Sequence, residues 1–439
     1  MLKDVKILHV ADYLPDLHRV AGGAEFAARR TIEEQARAGL TVEVATLRAD
    51  FTRQDAPWQR RHEFGNVDRY APRLAFAVKS FFDPADPVAA RGVARAIRES
   101  RPDVVHYHNL HYSGLSALRE AKAAGIPSVL TIYDYWLFCP SFMLLKSDGR
   151  LCETGHGRHC VDCIGTTRAR ALKPLKAMLF ARRPAAFAPA VGAIDRFVVL
   201  SPASHDLLTR HGVASERIAV IPQHGWKEAF ADHRDIAPEK GRLLYVGWVE
   251  PRKGLHVVLR ALAAVAKEFP ELRLDVLGMA ADRRYQAEME QFVRDQGLTG
   301  RVQFRQKVGR EELLSELRRA WLVTVPEQWE NMSPVIVTEA MAAGACLLAS
   351  RVGGVPQFVT ENIHGLLATR DDPAEFADRV RWSMLNPEAV LRMRQAARER
   401  AFEVFDSAEI HRRTLDLYGS LARGRAVQSE ASALGAAVR

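Results

Sequence analysis

The 439-residue sequence predicts an α/β protein made of two doubly wound, parallel-sheet domains. Three observations predict it. Short apolar runs alternate with amphipathic helical stretches through both halves, the rhythm of βαβ units. Glycine and proline punctuate the joints where a run passes into a helix. The length suits two domains of ordinary size.

In order, Val5 to Val10 is the first strand, followed by Ala21-Gly22-Gly23-Ala24-Glu25 and a helix to about Gly39. Strand, glycine loop and helix form a phosphate cradle, but not the G-x-G-x-x-G of a dinucleotide site. Thr41 to Thr46 is the second strand, and residues 48–87 read as an irregular excursion. Val88 to Ser100 is helical. Asp103 to His108 is a strand ending in His106-Tyr107-His108-Asn109, whose histidines at i, i+2 share one face. A helix over Ser113–Ala124 and a strand over Pro127–Tyr133 follow, then Asp134. Arg196 to Leu200 closes the first half, and Val220 to Gly225 is the crossover.

The second half opens with Leu243 to Gly247 and then Trp248-Val249-Glu250-Pro251-Arg252-Lys253-Gly254 at a helix entrance. A lysine there is a sound phosphate ligand. Strands over Leu272–Gly278, Val302–Phe304, Trp321–Val325 and Cys346–Ala349 alternate with helices. Ser333 reads as an N-cap, Pro334 as the first helical residue and Gly344 as the C-terminal glycine of Val335–Ala343. Gly353-Gly354 and Pro356 open another helix. Two helix N-termini at the carboxyl end of such a sheet favour an anion. Helices over Pro373–Leu385, Pro387–Phe405 and Ala408–Leu421 complete the chain. The predicted divisions are 1–220, 221–405, a helix at 406–422, and a disordered tail at 423–439.

The net charge is +9, and residues 1–200 hold 29 Lys/Arg against 21 Asp/Glu. Residues 166–194 contain no acid but carry Arg168, Arg170, Lys173, Lys176, Arg182 and Arg183 among Leu172, Leu175, Met178, Leu179 and Phe180. That pattern is either a solvated domain helix or an anionic-membrane surface. No nucleic-acid motif is present. MLKDVKILHV lacks the unbroken apolar core of a signal peptide, and no apolar run nears the ~18 residues of a span. The expectation is a cytoplasmic protein, either free or peripheral to the inner face of a membrane.

Cys139, Cys152, Cys160 and Cys163 are spaced C-x12-C-x7-C-x2-C, with His156 and His159 between. In a reducing compartment they are either a structural zinc set or free thiols of a lid loop.

The chain resembles retaining, family-4 glycosyltransferases of the GT-B fold. Glu339-Ala340-Met341-Ala342-Ala343-Gly344 and Gly353-Gly354-Val355-Pro356 match their signature helix and following loop. Gly22-Gly23-Ala24-Glu25, the DVVHYHN segment and Lys253-Gly254 match other motifs, and the cysteine loop matches a subset of the family. The resemblance implies two Rossmann-like domains around a cleft, a last helix at 406–422 that crosses back to the first domain, a nucleotide-diphosphate-sugar donor, and a glycan or lipid-linked acceptor. It implies ribose binding by Glu339, sugar contacts by Glu330 or Glu327 with the backbone of Asn331, Met332 and Ser333, and diphosphate contacts by Lys253, Arg252, Gly22 and Gly23. Asp134 and His108 are acceptor-side candidates, with Glu330 the third catalytic one. No D-x-D motif is present, so catalysis is expected to need no metal. The chain departs from the pattern in having Asn331 at the first-glutamate slot, Trp248 for arginine, Tyr133 for histidine and Gln357 for glutamate. A sugar-nucleotide epimerase and a non-catalytic nucleotide-sugar binder are the alternatives.

Overall fold

A computed structural model describes residues 5–19, 22–51, 56–65, 86–111, 113–164, 173–230, 236–306 and 308–437, with side chains to Arg423. Most of the 48–87 excursion, the residues 166–172 of the basic segment and the side chains of the tail lie outside the described residues. The chain forms two compact units, Met1–His224 with Ser407–Arg439, and Gly225–Asp406.

The first unit holds a seven-stranded parallel sheet. Its strands are β1 Lys6–Val10, β2 Thr41–Thr46, β3 Arg60–Glu63, β4 Val104–Tyr107, β5 Ser128–Thr131, β6 Arg196–Val199 and β7 Ile218–Val220. Their spatial order is β3-β2-β1-β4-β5-β6-β7. Inner strands are covered on both faces, so they are largely apolar and buried, and the polar residues among them, such as His9, Glu43 and His106, are hydrogen-bonded. Ile7, Val42, Val44, Val104, Val129 and Val198 are buried in its core, with Ile410 and Tyr418 of the C-terminal helix packed on it. Each such side chain contributes about 1.5–3 kcal/mol by leaving water.

The second unit holds a six-stranded parallel sheet: β8 Arg242–Val246, β9 Arg273–Leu277, β10 Val302–Arg305, β11 Leu322–Val325, β12 Cys346–Ser350 and β13 Gly365–Ala368. The order is β10-β9-β8-β11-β12-β13. In each sheet the order reverses once, between β1 and β4 and between β8 and β11. Open α/β sheets bind ligands at the carboxyl ends of such a pair.

Several local expectations are corrected. Residues 60–63 form an edge strand, although Arg-Arg-His-Glu has no apolar alternation. Its His62 pairs with Glu43 of β2 at 2.7 Å, so polar partners replace an apolar face. The helix expected over Ser113–Ala124 shrinks to a 3-10 turn at Ala117–Arg119 and one turn at Glu120–Ala123. Ser113 N–H is spent on the Asp12 carboxylate at 3.1 Å, and Gly114 takes a left-handed φ of 73°. Pro334, extended at ψ 124°, is the N-cap of Val335–Ala342, so Ser333 stands one residue outside the cap. The helix at Gly353-Gly354 is a single turn, Val355–Phe358, too short to carry much of a dipole. The final helix runs Ser407–Ala437, through the segment expected to be a disordered tail. That segment is alanine-rich and free of proline, so its local propensity is helical.

The basic helix Lys173–Ala193 also differs in its facing. Its buried stripe includes Lys176 and Arg183 beside Phe180 and Phe187. Arg183 Nη2 donates to the Trp136 carbonyl at 3.1 Å, and its guanidinium lies 4.0 Å over the Phe187 ring. Two of the cations are therefore structural, and Leu175 and Met178 are exposed beside Lys173 and Arg182. Among the described residues no helix is long and apolar enough to cross a membrane.

Candidate functional site

The second unit gathers its polar groups where β8, β11 and β12 end. After β8 the chain passes Gly247 to the one-turn Pro251–Lys253, which Gly254 closes at φ 73°. A Cβ on Gly254 would lie 1.9 Å from the Pro326 carbonyl oxygen. Only glycine permits this approach, and the approach brings Lys253 to the loop after β11. There Lys253 Nζ meets Glu327 Oε1 at 2.5 Å. Glu327 also accepts from Trp329 Nε1 at 2.5 Å and from Asn331 Nδ2 at 3.1 Å. Its side chain is 3% exposed and that of Lys253 18%. The lysine therefore answers a buried carboxylate that would otherwise be very costly. Arg252 pairs with Glu250 at 2.6 Å and lies 5.4 Å over the Trp329 ring.

The loop after β12 seats on the loop after β11. Gly353 has φ 52°, and a Cβ there would fall 2.1 Å from the Asn331 carbonyl oxygen. Gly353 N–H donates to Glu330 Oε2 at 2.9 Å, and Gly354 N–H to the Asn331 carbonyl at 3.0 Å. Met332 and Ser333 are buried beneath them. Glu339 projects from the helix Val335–Ala342 and accepts from Arg310 Nη1 at 2.5 Å. Burial pushes the Glu339 carboxyl above its ordinary range, and Arg310 pulls it back. The structure thus brings Lys253, Glu327, Asn331, Glu330 and Gly353 into one hydrogen-bonded cluster. Met332 and Ser333 lie within that loop, while Glu339 keeps a partner of its own.

Arg310 escaped the sequence reading. Its signal was a cation at the first position of a helix, Arg310–Arg319, where the dipole disfavours one.

In the first unit the groups converge after β1 and β4. Gly22 caps the helix Gly23–Arg37, and its N–H donates to Glu25 Oε2 at 2.7 Å. His108 is buried, and its neighbours form a chain. Tyr133 hydroxyl bonds His108 Nδ1 at 3.1 Å, and His108 Nε2 bonds His9 Nδ1 at 2.8 Å. His9 Nε2 meets Gln35 Oε1 at 2.9 Å, and Gln35 Nε2 donates to the Tyr418 hydroxyl at 3.0 Å. Tyr418 reaches His106 Nδ1 at 2.5 Å, and His106 Nε2 meets Thr131 Oγ1 at 2.7 Å. The Gln35 amide fixes the direction. Each imidazole then accepts once and donates once, which requires all three to be neutral. Burial holds them neutral, with His9 lowered to about 4 and His106 and His108 well below the usual range.

The ligand atoms of His9, His106 and His108 lie within 4.8 Å of one another. All six ring nitrogens are nevertheless engaged, and His106 stacks on His108 at 4.3 Å and 24°. Stacked rings aim their lone pairs side by side, so the cluster fits a hydrogen-bond relay and not a metal. His9, Gln35 and Tyr418 carry no sequence signal for this role. Asp134 accepts from Trp136 N–H at 3.0 Å and Asn109 Nδ2 at 3.3 Å, fixing the turn after Tyr133.

Cys139, Cys152 and Cys160 are buried, Cys163 is half-buried, and all four are free thiols. Burial pushes Cys160 up to about 12, with contributions from Cys139, Cys163 and Cys152. Gly157 N–H donates to Cys160 Sγ at 3.3 Å.

The model of the family described as Glycosyltransferase Family 4 matches residues 21–223, and that described as Glycosyl transferases group 1 matches residues 227–400. A D-inositol 3-phosphate glycosyltransferase of Streptomyces coelicolor is 31% identical over 239 residues, covering 48% of this chain and 52% of that protein. A glycogen synthase of Mycobacterium tuberculosis is 27% identical over 333 residues, covering 74% and 71%. The chain thus spans about half the length of the inositol-phosphate relatives it matches. Among solved structures, Anabaena Alr3699/HepE in complex with UDP-glucose superposes with a TM-score of 0.68 at 16% identity, covering 94% of this chain and 99% of that one. Sucrose-phosphate synthase from Thermosynechococcus elongatus gives 0.68 at 20%, covering 95% and 100%. These likenesses establish the fold.

Proposed function

We propose, from the match of residues 21–223 to the Glycosyltransferase Family 4 model and of residues 227–400 to the Glycosyl transferases group 1 model, that the chain is a retaining, GT-B-type glycosyltransferase. Its donor would be a nucleotide-diphosphate sugar bound by the second unit. The observation that carries the reading is the cluster at the β8/β11 switch point, where one cation, two carboxylates and glycine amides converge.

Glu339 would accept the ribose hydroxyls. Glu327 already holds three donors, so its role would be to position Lys253 and Asn331. Glu330, with one hydrogen bond from Gly353, would contact the sugar. Lys253 and Arg252 would balance the charge that develops as the bond from the sugar to the diphosphate breaks. The new bond to the acceptor oxygen forms on the same face, and a leaving phosphate oxygen takes the acceptor proton. No protein nucleophile is required.

The acceptor-side groups would come from the first unit: Gly22 and Gly23, Asp134, and Tyr133 in the place of the family histidine. His108 would act through Tyr133, since both its nitrogens are engaged. We propose a glycan or lipid-linked acceptor in cell-surface polysaccharide or glycolipid synthesis, reached at the cytoplasmic face of a membrane. The face of Leu175, Met178, Lys173 and Arg182 would touch anionic lipid there. The cysteine loop would be the subset's lid. Four thiols, three of them buried, suit a structural zinc by donor chemistry, but no three of their sulfurs lie within 4.8 Å of one another, so the loop would have to draw them together to hold the ion as thiolates.

The test is a thermal-shift panel of UDP-, GDP- and dTDP-sugars, followed by product analysis with the donor that binds. A stabilising shift with one donor, lost in Glu339→Ala, supports the reading, because a ligand of the native state raises its midpoint. Full transferase activity in both Glu339→Ala and Lys253→Ala would refute the site. A UDP-sugar goes first, since Alr3699/HepE was crystallised with UDP-glucose.

A further inference from the structure

Arg310 opens the helix Arg310–Arg319 and is followed by Glu311 and Glu312. The two acids suit a helix N-terminus, and the arginine does not. Two contacts hold it there. Its Nη1 donates to Glu339 Oε1 at 2.5 Å, and its guanidinium lies 4.3 Å over the Trp226 ring. The Glu339 side chain is 7% exposed and that of Arg310 41% exposed. The acid is thus buried and the cation caps it from the solvent side.

We propose that Arg310 is a positioning residue for the nucleotide donor: it keeps Glu339 ionised and aimed, and yields its place on Oε1 to a ribose hydroxyl when the nucleotide binds. The inference rests on the donor reading above. A vicinal diol presents two O–H donors, and only a carboxylate with both oxygens free of a proton accepts them together. Burial raises the Glu339 carboxyl, and Arg310 opposes that rise. The helix bearing Glu339 also packs on Pro387–Val404. The cations on that side are committed elsewhere: Arg394 to the Ala320 and Arg318 carbonyls, Arg398 to the Phe230 carbonyl. Arg310 is therefore the cation acting on Glu339 among the described residues. The Trp226 ring keeps the guanidinium near the site once the ion pair opens, because a cation is favourable over an aromatic face.

The experiment measures UDP and GDP affinity by calorimetry from pH 5 to 8.5 for wild type, Arg310→Met, Arg310→Lys and Glu339→Gln. The 2′,3′-dideoxy nucleotides serve as the reference that cancels the titration of the diphosphate. The expected result is a selective loss in Arg310→Met. Its preference for the ribo form should fall about tenfold per pH unit below the raised Glu339 pKa, and return at high pH. Arg310→Lys should restore the wild-type profile, and Glu339→Gln should lack the preference at every pH. A pH-independent loss in Arg310→Met, or none, overturns the inference while leaving the donor reading intact. Wild-type protein that binds neither nucleotide, nor any sugar nucleotide of the thermal-shift panel, overturns both.

Discussion

The sharpest energetic consequence of the structure concerns Lys253 and Glu327. The pair is 2.5 Å apart, with side chains 18% and 3% exposed. Lys253→Met keeps the aliphatic volume and removes the charge. It leaves a buried carboxylate with two neutral donors, Trp329 Nε1 and Asn331 Nδ2. Removing one partner of a buried ion pair costs about 3–5 kcal/mol, chiefly the desolvation of the charge left behind. Glu327→Gln alone also destabilises, because an amide must turn its NH2 toward Trp329 N–H or toward the lysine. In the Lys253→Met background the sign changes. The buried charge disappears, and the new amide can give its oxygen to Trp329 and its NH2 to a flipped Asn331. The second substitution should then recover about 2 kcal/mol. The assay is a double-mutant cycle in urea, followed by circular dichroism, with the unfolding of the second unit resolved. A coupling below about 0.5 kcal/mol, the range for independent sites, would refute the reasoning. Nucleotide affinity should stay lost in the double variant, since restoring stability does not restore the cation.

Acid lability should concentrate in the first unit. Burial lowers His9 and His156 to about 4 and His224 to about 3, against 6.5 when unfolded. The unfolded chain therefore binds more protons below pH 6.5. Stability present above that pH is lost as pH falls toward 4, by about 1.4 kcal/mol per unit for each histidine. Calorimetry at pH 7.5 and 5 should show the first unit's transition moving down more than the second's, and equal shifts would contradict it. Cys163→Ser should lower bound zinc or the first unit's midpoint without changing nucleotide affinity, as metal analysis and calorimetry would show. A loss of nucleotide affinity would place the cysteine loop in the donor site.

The sequence by itself determined the two-sheet architecture and the loops of the second unit. Strand, loop and helix there are set by residues within a few positions of one another. Apolar runs covered on both faces give the inner strands, Gly344 at φ 69° ends Val335–Ala342, and Gly254 tolerates a contact that no side chain would. Lys253, Glu327, Glu330, Asn331 and Glu339 were legible for the same reason, since each sits beside such a joint. The edge strand Arg60–Glu63 was not, because it is held by partners such as Glu43 and carries no apolar period of its own. Only the tertiary structure decided which polar groups meet. Gln35 finds Tyr418 across 383 positions, His9 finds His108 across 99, and Arg310 finds Glu339 across 29. A hydrogen bond depends on where the folded backbone delivers two atoms, and in a parallel sheet neighbouring strands are separated by whole crossovers. The inward turn of Lys176 and Arg183 has the same cause. The helix pattern fixes which residues share a face, and the body of the first unit fixes which face is buried.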